Sequence, residues 1–545
     1  MNRLYYGDNL EVLRKYIADE SVDLIYLDPP FNSKADYNIL YKEQNGIQSA
    51  SQIKAFSDFW HWDQEVQLTY EFLMQNSNIP VDLKKLLGAL EAFLGHNDLS
   101  AYLIMMSVRL VELRRVLKPG GSLYLHCDPT ASHYLKAVLD AIFGPEHFVN
   151  EIIWQRTNAK GLAFTRLPNN HDVILVYSKT NKWTWNPQYT PHNPDYVESF
   201  YRYVEPGTGR RYSLADLTNP NKNRPNLTYE FLGVTRVWRW SKERMKEAFD
   251  KGLIVQSQPG SVPRLKRYLD EQEGTPLGDV WTDIHPVQSQ GSESLGYQTQ
   301  KPLELLERII SMGSNERDIV LDPFCGCGTA LDAAEKLHRE WIGIDITHLA
   351  INVIKKRLRD RYPDVKFEVI GEPKDLEGAR ELAKQDRYQF QWWACSLIDA
   401  APYENKKRGA DTGIDCVVYN PVKGTNRTYY GIVQVKSGNV NSGQVRDFKG
   451  TMEREKADYG IFLTLEDPTE PMNREAVVAG HIKTEWNASI PKVQILTINE
   501  LLEGKQPEFP FPPDNYNTAT RGKRILPQTE EKQTMLSSGD QNEGK

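Results

Sequence analysis

Apolar positions along the chain alternate between two rhythms. "NLEVLRKYIAD" (9–19) spaces its apolar residues as a helix does, and "SVDLIYLDPPF" (21–31) then runs apolar for a few residues and halts at two prolines. Proline cannot donate to a sheet ladder, so this reads as a short strand ending at Asp28. Residues 45–98 read as a polar insertion dotted with aromatics, and "LSAYLIMMSVRLVELRRVLK" (99–118) as a helix stopped by "PGG". "SLYLHCD" (122–128) is a second strand and "ASHYLKAVLDAIFG" (131–144) a helix closed by glycine. Strand, helix, strand, helix predicts an α/β fold with a doubly wound, Rossmann-like parallel sheet.

The rhythm breaks over 157–285, which is rich in Pro, Asn, Tyr, Trp and Arg and reads as an inserted module. Within it Trp238 and Trp240 flank Arg239 as on a strand, which favours core packing over base stacking. Sheet rhythm returns over 286–365. The expected organisation is a first half at 1–156, the module at 157–285, a second half at 286–365, a charged linker at 366–385, a smaller α/β domain at 386–505 and a disordered tail at 506–545.

The 545 residues are 40% hydrophobic with a net charge of −7, so no global positive field favours non-specific nucleic-acid binding; a basic cleft is still allowed. No apolar run approaches the ~18 residues of a membrane span, and the start lacks the pattern of a secretory signal. Five cysteines do not suggest a disulfide framework. A reducing cytoplasm is the expected setting.

Two stretches carry chemistry in the first part of the chain. "DIVLDPFCGCGTALDAAEKLHREWIGIDI" (318–346) reads as strand, glycine turn, helix and strand. Gly326 and Gly328 allow a tight turn and close approach of a ligand, and Asp345 stands near the ~20-residue offset at which an acid holds ribose hydroxyls. The turn opens with Asp322 and lacks a third spaced glycine, which favours a ligand bearing an amine, such as S-adenosylmethionine, over a pyrophosphate. Cys325 and Cys327 have no partner at zinc spacing and read as loop fillers. If the two strands share a sheet, Asp28 meets this turn on one edge. The Asp28 carboxylate and the Pro29 carbonyl could then each accept an N–H of an exocyclic base amine, with Pro30 stiffening the turn and Phe31 stacking on an extruded base.

As a set, "DPPF", "LKPGGSLYLHCD", "NEIIWQR", "QTQKPLELLERII" and "DPFCGCGT" resemble the motifs of amino-group DNA methyltransferases in the family's β order, over roughly residues 1–365. The resemblance implies Asp28, Pro29, Pro30 and Phe31 as the catalytic loop and Asp322, Phe324, Gly326, Gly328 and Asp345 as the cofactor pocket. It implies that Lys301 and Pro302 wall the methionine end, and that Asp8 approaches the cofactor adenine, a helix N-cap being its alternative role. It makes double-stranded DNA the partner and the 157–285 module the target-recognition region. Family members with an acid before the prolines mostly methylate adenine N6, whereas N4-cytosine members more often carry serine. The expected activity is therefore adenine-N6 methylation; N4-cytosine methylation and non-catalytic DNA binding are the rivals.

Further on, "GADTGIDCVVYN" (409–420) and "YYGIVQVKSGNV" (429–440) read as two strands that place Asp415 near Gln434 and Lys436. Gln434 and Lys436 share one strand face. Such a group can hold Mg²⁺ through Asp415 and Gln434, with Lys436 acting on a water or a phosphate. The pattern resembles the Mrr-type PD-(D/E)xK restriction endonucleases, with Gln434 where many nucleases have Glu. That implies a fused nuclease-like domain and a restriction–modification role.

Overall fold

The computed structural model describes residues 1–30, 61–158, 167–288, 293, 295, 299–403, 413–422, 427–484 and 489–510. Phe31 and the tail from 511 lie outside these residues. The chain forms two compact units, one made of Met1–Thr184 with the residues from Thr282 on, the other of Trp185–Trp281.

The larger unit contains two main sheets and a short antiparallel pair, His481–Lys483 with Ser489–Pro491. The first is built from β1 (Asn2–Tyr6), β2 (Val22–Leu27), β3 (Leu117–Cys127), β4 (Phe148–Trp154), β5 (Asp172–Ser178), β6 (Ile319–Asp322), β7 (Glu340–Asp345) and β8 (Phe367–Ile370), side by side as β4-β5-β3-β2-β6-β7-β1-β8. From β3 to β8 the neighbours are parallel, while β5 runs antiparallel to both β3 and β4. Both faces are covered. Ile25 and Leu27 of β2 enter a core shared with helices Asn9–Tyr16, Asp98–Val116 and Ser132–Phe143. On the opposite face Leu24 and Tyr124 lie against helix Leu303–Gly313, and Leu331 of helix Thr329–Lys336 lies against Gly343. Burial on both faces explains why Leu24–Leu27 of β2 reads as an apolar run. This is the expected doubly wound α/β sheet.

Several sequence readings are corrected. "PGG" lies inside β3, beyond the helix end at Val116. A Cβ on Gly121 would sit 2.7 Å from the Asp23 carbonyl, so glycine lets β2 and β3 close up beside a register shift. The 45–98 insertion contains helices Gln64–Gln75 and Val81–Leu94. The inserted module starts later than residue 157, because β5 completes the main sheet. The 366–385 linker is structured: β8 pairs with β1, and Leu376–Gln385 is a helix capped by Asp375. The tail does not begin at 506, since Phe509 packs on the core of the smaller domain and the Glu508 N–H donates to Gln494 Oε1 at 2.8 Å.

That smaller domain carries the second sheet: β9 (Ala401–Pro402), β10 (Cys416–Pro421), β11 (Thr428–Lys436), β12 (Tyr459–Thr464) and β13 (Val493–Thr497), in that order. The first pairings are antiparallel and the last two parallel. Val433 and Val435 face a core with Phe390 and Trp393 of helix Arg387–Ser396, while Ile432 faces Phe448 of helix Ser442–Arg454. Contrary to the cysteine reading, Cys395 and Cys416 form a disulfide joining helix Arg387–Ser396 to β10.

The second unit is antiparallel: strands Ile254–Val255, Arg264–Tyr268, Arg211–Asp216 and Tyr203–Val204 in order, with a separate hairpin, Thr228–Phe231 with Val234–Val237. Its core is Leu217, Trp238, Met245, Ala248 and Ile254. Trp238 is fully buried and donates its indole N–H to the Tyr229 carbonyl at 2.9 Å, so it is a packing residue, as expected.

Candidate functional site

β2 and β6 are adjacent and parallel, with Leu24 opposite Val320 and Ile25 opposite Leu321. Their C-terminal ends therefore bring Asp28 and Asp322 to one edge, where open α/β sheets bind ligands. β7 and β1 follow on the same edge and add Asp345 and Asp8.

The glycine turn leaves β6 directly. The Phe324 N–H donates to Asp322 Oδ1 at 3.0 Å, and the Gly326 N–H to Asp345 Oδ2 at 2.9 Å. Gly326 and Gly328 have φ of +49° and +75°, and a Cβ on Gly328 would lie 2.7 Å from Ile354 Cγ1. Only glycine fits this left-handed, crowded position, which starts helix Thr329–Lys336. Asn9 buttresses the turn: its Nδ2 donates to the Pro323 carbonyl at 2.9 Å, while Arg109 Nε donates to its Oδ1 at 2.7 Å.

Charge is concentrated at this edge. Burial pushes the Asp322 carboxyl well above the carboxylate range, and the neighbouring Asp28 and Asp345 charges add to the rise. Burial likewise pushes Asp345 up to about 6, against the pull of bonds from Thr347 and Gly326. Cys325 and Cys327 are buried free thiols, raised by that burial. Among the described residues no cluster of three or more His, Cys, Asp or Glu could hold a metal.

Two residues have partners within the chain. Asp8 caps helix Asn9–Tyr16, accepting from the Leu10 and Glu11 N–H groups, and its other oxygen accepts from Arg109 Nη2 at 2.8 Å. It thus fills the helix-cap role. Lys301 places its ammonium 2.5 Å from Asp28 Oδ2. Pro302 is buried at the N-cap of helix Leu303–Gly313, Pro29 is buried, Pro30 is half-buried, and Phe324 packs half-buried against the main core.

Sequence reasoning missed a buried polar chain beside Asp28. The Tyr26 hydroxyl lies 3.0 Å from His126 Nδ1, and His126 Nε2 lies 3.1 Å from Asp172 Oδ2. All three side chains are essentially inaccessible. The signal was present: "SLYLHCD" and "NNHDVILVYS" each set a titratable residue against an apolar strand, where only a paired one is tolerated.

In the smaller domain Asp415 immediately precedes β10, beside the strand β11 that carries Gln434 and Lys436. The Asp415 N–H donates to the Val433 carbonyl at 2.9 Å, and Asp415 Oδ2 accepts from the Val435 N–H at 2.7 Å. Gln434 is buried, its Nε2 donating to the Gly413 carbonyl at 2.9 Å. Lys436, half-buried, follows on the same face of β11.

Comparison with known proteins matches both parts of the chain to families. Residues 22–356 match the DNA methylase family, which covers N6 and N4 amino methylation, and residues 382–501 match a restriction endonuclease family. The type II methyltransferase M.EcaI of Enterobacter cloacae is 30% identical over 262 residues, 47% of this chain and 57% of that one. The Mod subunit of the type III restriction-modification enzyme StyLTI of Salmonella typhimurium is 24% identical, over 62% of this chain and 50% of that one. The type II methyltransferase M.BamHI of Bacillus amyloliquefaciens is 25% identical, over 67% of this chain and 59% of that one. The chain thus spans between 50% and 59% of the length of these relatives. Among solved structures, the cytosine-N4-specific PvuII DNA methyltransferase shares 13% identity at a TM-score of 0.33, over 67% of this chain and 87% of that one; at that distance the likeness adds no argument.

Proposed function

Since the chain belongs to the DNA methylase family and carries a restriction-endonuclease-like domain, we propose that it methylates adenine N6 in double-stranded DNA. The observation that carries the reading is the shared edge of β2 and β6, which sets Asp28 and the Asp322–Gly328 turn side by side. The turn fits S-adenosylmethionine: two left-handed glycines clear a path to the backbone, and Asp345 is held at the turn by the Gly326 N–H, where it can take ribose hydroxyls. When bound, S-adenosylmethionine supplies an electrophilic methyl group.

The chain's own residues handle the amine. An exocyclic base nitrogen is a poor nucleophile because its lone pair is delocalised into the ring. The Asp28 carboxylate accepts one of its N–H bonds and the Pro29 carbonyl the other, which favours a pyramidal nitrogen with a directed lone pair. Pro29 and Pro30 fix that geometry before the base arrives. Carboxylate rather than serine at position 28 supports adenine over cytosine.

In the second domain, Asp415 and Gln434 offer the oxygen donors Mg²⁺ takes, the remaining positions falling to water and phosphate. Lys436 is placed to meet a phosphate. DNA cleavage there would join the two domains in a restriction–modification role.

The test incubates the purified chain with S-adenosylmethionine and mixed-sequence unmethylated DNA in the absence of Mg²⁺, then identifies the methylated nucleosides by mass. N6-methyladenine is expected. N4-methylcytosine overturns the choice of base, and no methylated base from protein that binds the cofactor overturns the activity. Adding Mg²⁺ tests the second domain, and uncut DNA in both methylation states rejects the nuclease.

A further inference from the structure

The ion pair between Lys301 and Asp28 joins residues 273 positions apart, and both side chains are largely buried. Asp28 stands among other acids: Asp322 ends the neighbouring strand, and Asp172 begins β5. Burial alone would raise the Asp172 carboxyl. The bond from His126 and the charges of His126, Lys301 and Arg156 outweigh it and hold the group below its ordinary range. Lys301 thus lies in the field of two carboxylates, one just past the end of β2 and one at the start of β5. Asp172 is itself fixed by His126, by Tyr26 behind it, and by Arg156 Nε at 3.2 Å. Tyr26 is two residues before Asp28 on β2, so the chain of contacts returns to the catalytic loop.

We propose that Lys301 is a positioning residue for Asp28, and that the buried chain Tyr26–His126–Asp172 anchors it. This rests on the methyltransferase reading and changes one role within it, since Lys301 serves the carboxylate rather than walling the cofactor. A carboxylate has two oxygens. With Oδ2 held by the ammonium, the plane of the group is fixed and the second oxygen can take the amine N–H. The cation also offsets the repulsion that Asp322 and Asp172 exert on an ionised Asp28.

The experiment compares the unaltered chain with Lys301→Met, Lys301→Arg and Asp172→Asn. Affinity for S-adenosylhomocysteine is read by calorimetry, and methyl transfer in a single turnover at saturating cofactor and DNA. Lys301→Met is expected to bind the cofactor as the unaltered chain does and to transfer methyl about 10²-fold more slowly. Lys301→Arg should recover most of the rate. Asp172→Asn keeps the shape of the buried chain and should slow transfer several-fold at unchanged cofactor affinity, which keeps the test open if Lys301→Met does not fold. Weakened cofactor binding with an intact rate at saturation would overturn the proposal, as would Lys301→Arg no faster than Lys301→Met. Absence of transfer by the unaltered, cofactor-binding chain would reject the methyltransferase reading instead.

Discussion

Asp28 and Asp415 each adjoin an apolar strand, and a lysine belongs to each site, yet the two carboxylates are held by different means. Asp28 is met by a side chain, the ammonium of Lys301, which reaches it from the approach to helix Leu303–Gly313. Asp415 is met by the main chain, the Val435 N–H, just past the end of the β10–β11 pairing. The ammonium holds one Asp28 oxygen and leaves the other for a base amine, whereas the N–H on Asp415 belongs to the backbone of a strand and is fixed with it. The first site thus keeps an acceptor oxygen for a reacting group. The second is a rigid seat whose occupant must come to it.

The largest expected effect tests the first site. Asp28→Ala should lower single-turnover methyl transfer by about 10³-fold with cofactor affinity unchanged, because it removes an acceptor used by the reacting amine. Equal loss in affinity and rate would place Asp28 on the cofactor and dissolve the contrast with Asp415.

Next comes acidity. Asp345 is pushed up to about 6 by burial. Its folded carboxyl takes a proton more readily than the unfolded chain's does, so its ionisation costs the fold stability above about pH 6, and that cost is relieved as pH falls through 6. Cofactor binding runs the other way, since a protonated Asp345 loses acceptor strength toward ribose hydroxyls. The Kd for S-adenosylhomocysteine should rise about tenfold for each pH unit below 6, and Asp345→Asn should flatten the profile. A flat profile in the unaltered chain would remove Asp345 from the ribose. Lys436 and Asp415 belong to a separate sheet, so cleavage, if measured over the same range, should not follow this curve.

What the sequence made legible follows from how each feature is held. Leu24–Leu27 of β2 and Ile319–Leu321 of β6 were readable because burial on both faces makes them apolar runs that end abruptly at Asp28 and Asp322. The glycine turn was readable because Gly328 has nowhere to put a side chain. Helix Val81–Leu94 was not, because apolar residues surround it: Leu83 and Leu87 are buried, but Val81 and Phe93 are 63% and 77% exposed, which blurs a single face. β8 was hidden by its length and its edge position, where only pairing with β1 holds it. The Lys301–Asp28 pair and the His126–Asp172 bond exist only once β2, β3 and β5 are side by side, so no local pattern announces them. The Cys395–Cys416 link has the same origin, a helix laid across the start of β10.

The smallest effect concerns why the second site has an amide where many nucleases have an acid. Gln434 is buried and donates its Nε2 hydrogen to the Gly413 carbonyl, two residues before Asp415. An ionised glutamate has no hydrogen to give, so Gln434→Glu would leave that carbonyl without this donor and place a charge in a buried position near Asp415. The fold around β11 should then lose about 1–3 kcal/mol, read locally as faster hydrogen exchange at the Val433 and Val435 amides. Added Mg²⁺ should restore part of the protection, because a divalent cation would neutralise the paired acids. If exchange at those amides is unchanged in the variant, the Gly413 bond does not fix Gln434 and the seat is less rigid than the ladder implies. If exchange quickens and Mg²⁺ does nothing, Asp415 and its neighbour do not hold a cation. The amide would then be a structural strut, and the domain a DNA-gripping module that has kept the nuclease fold.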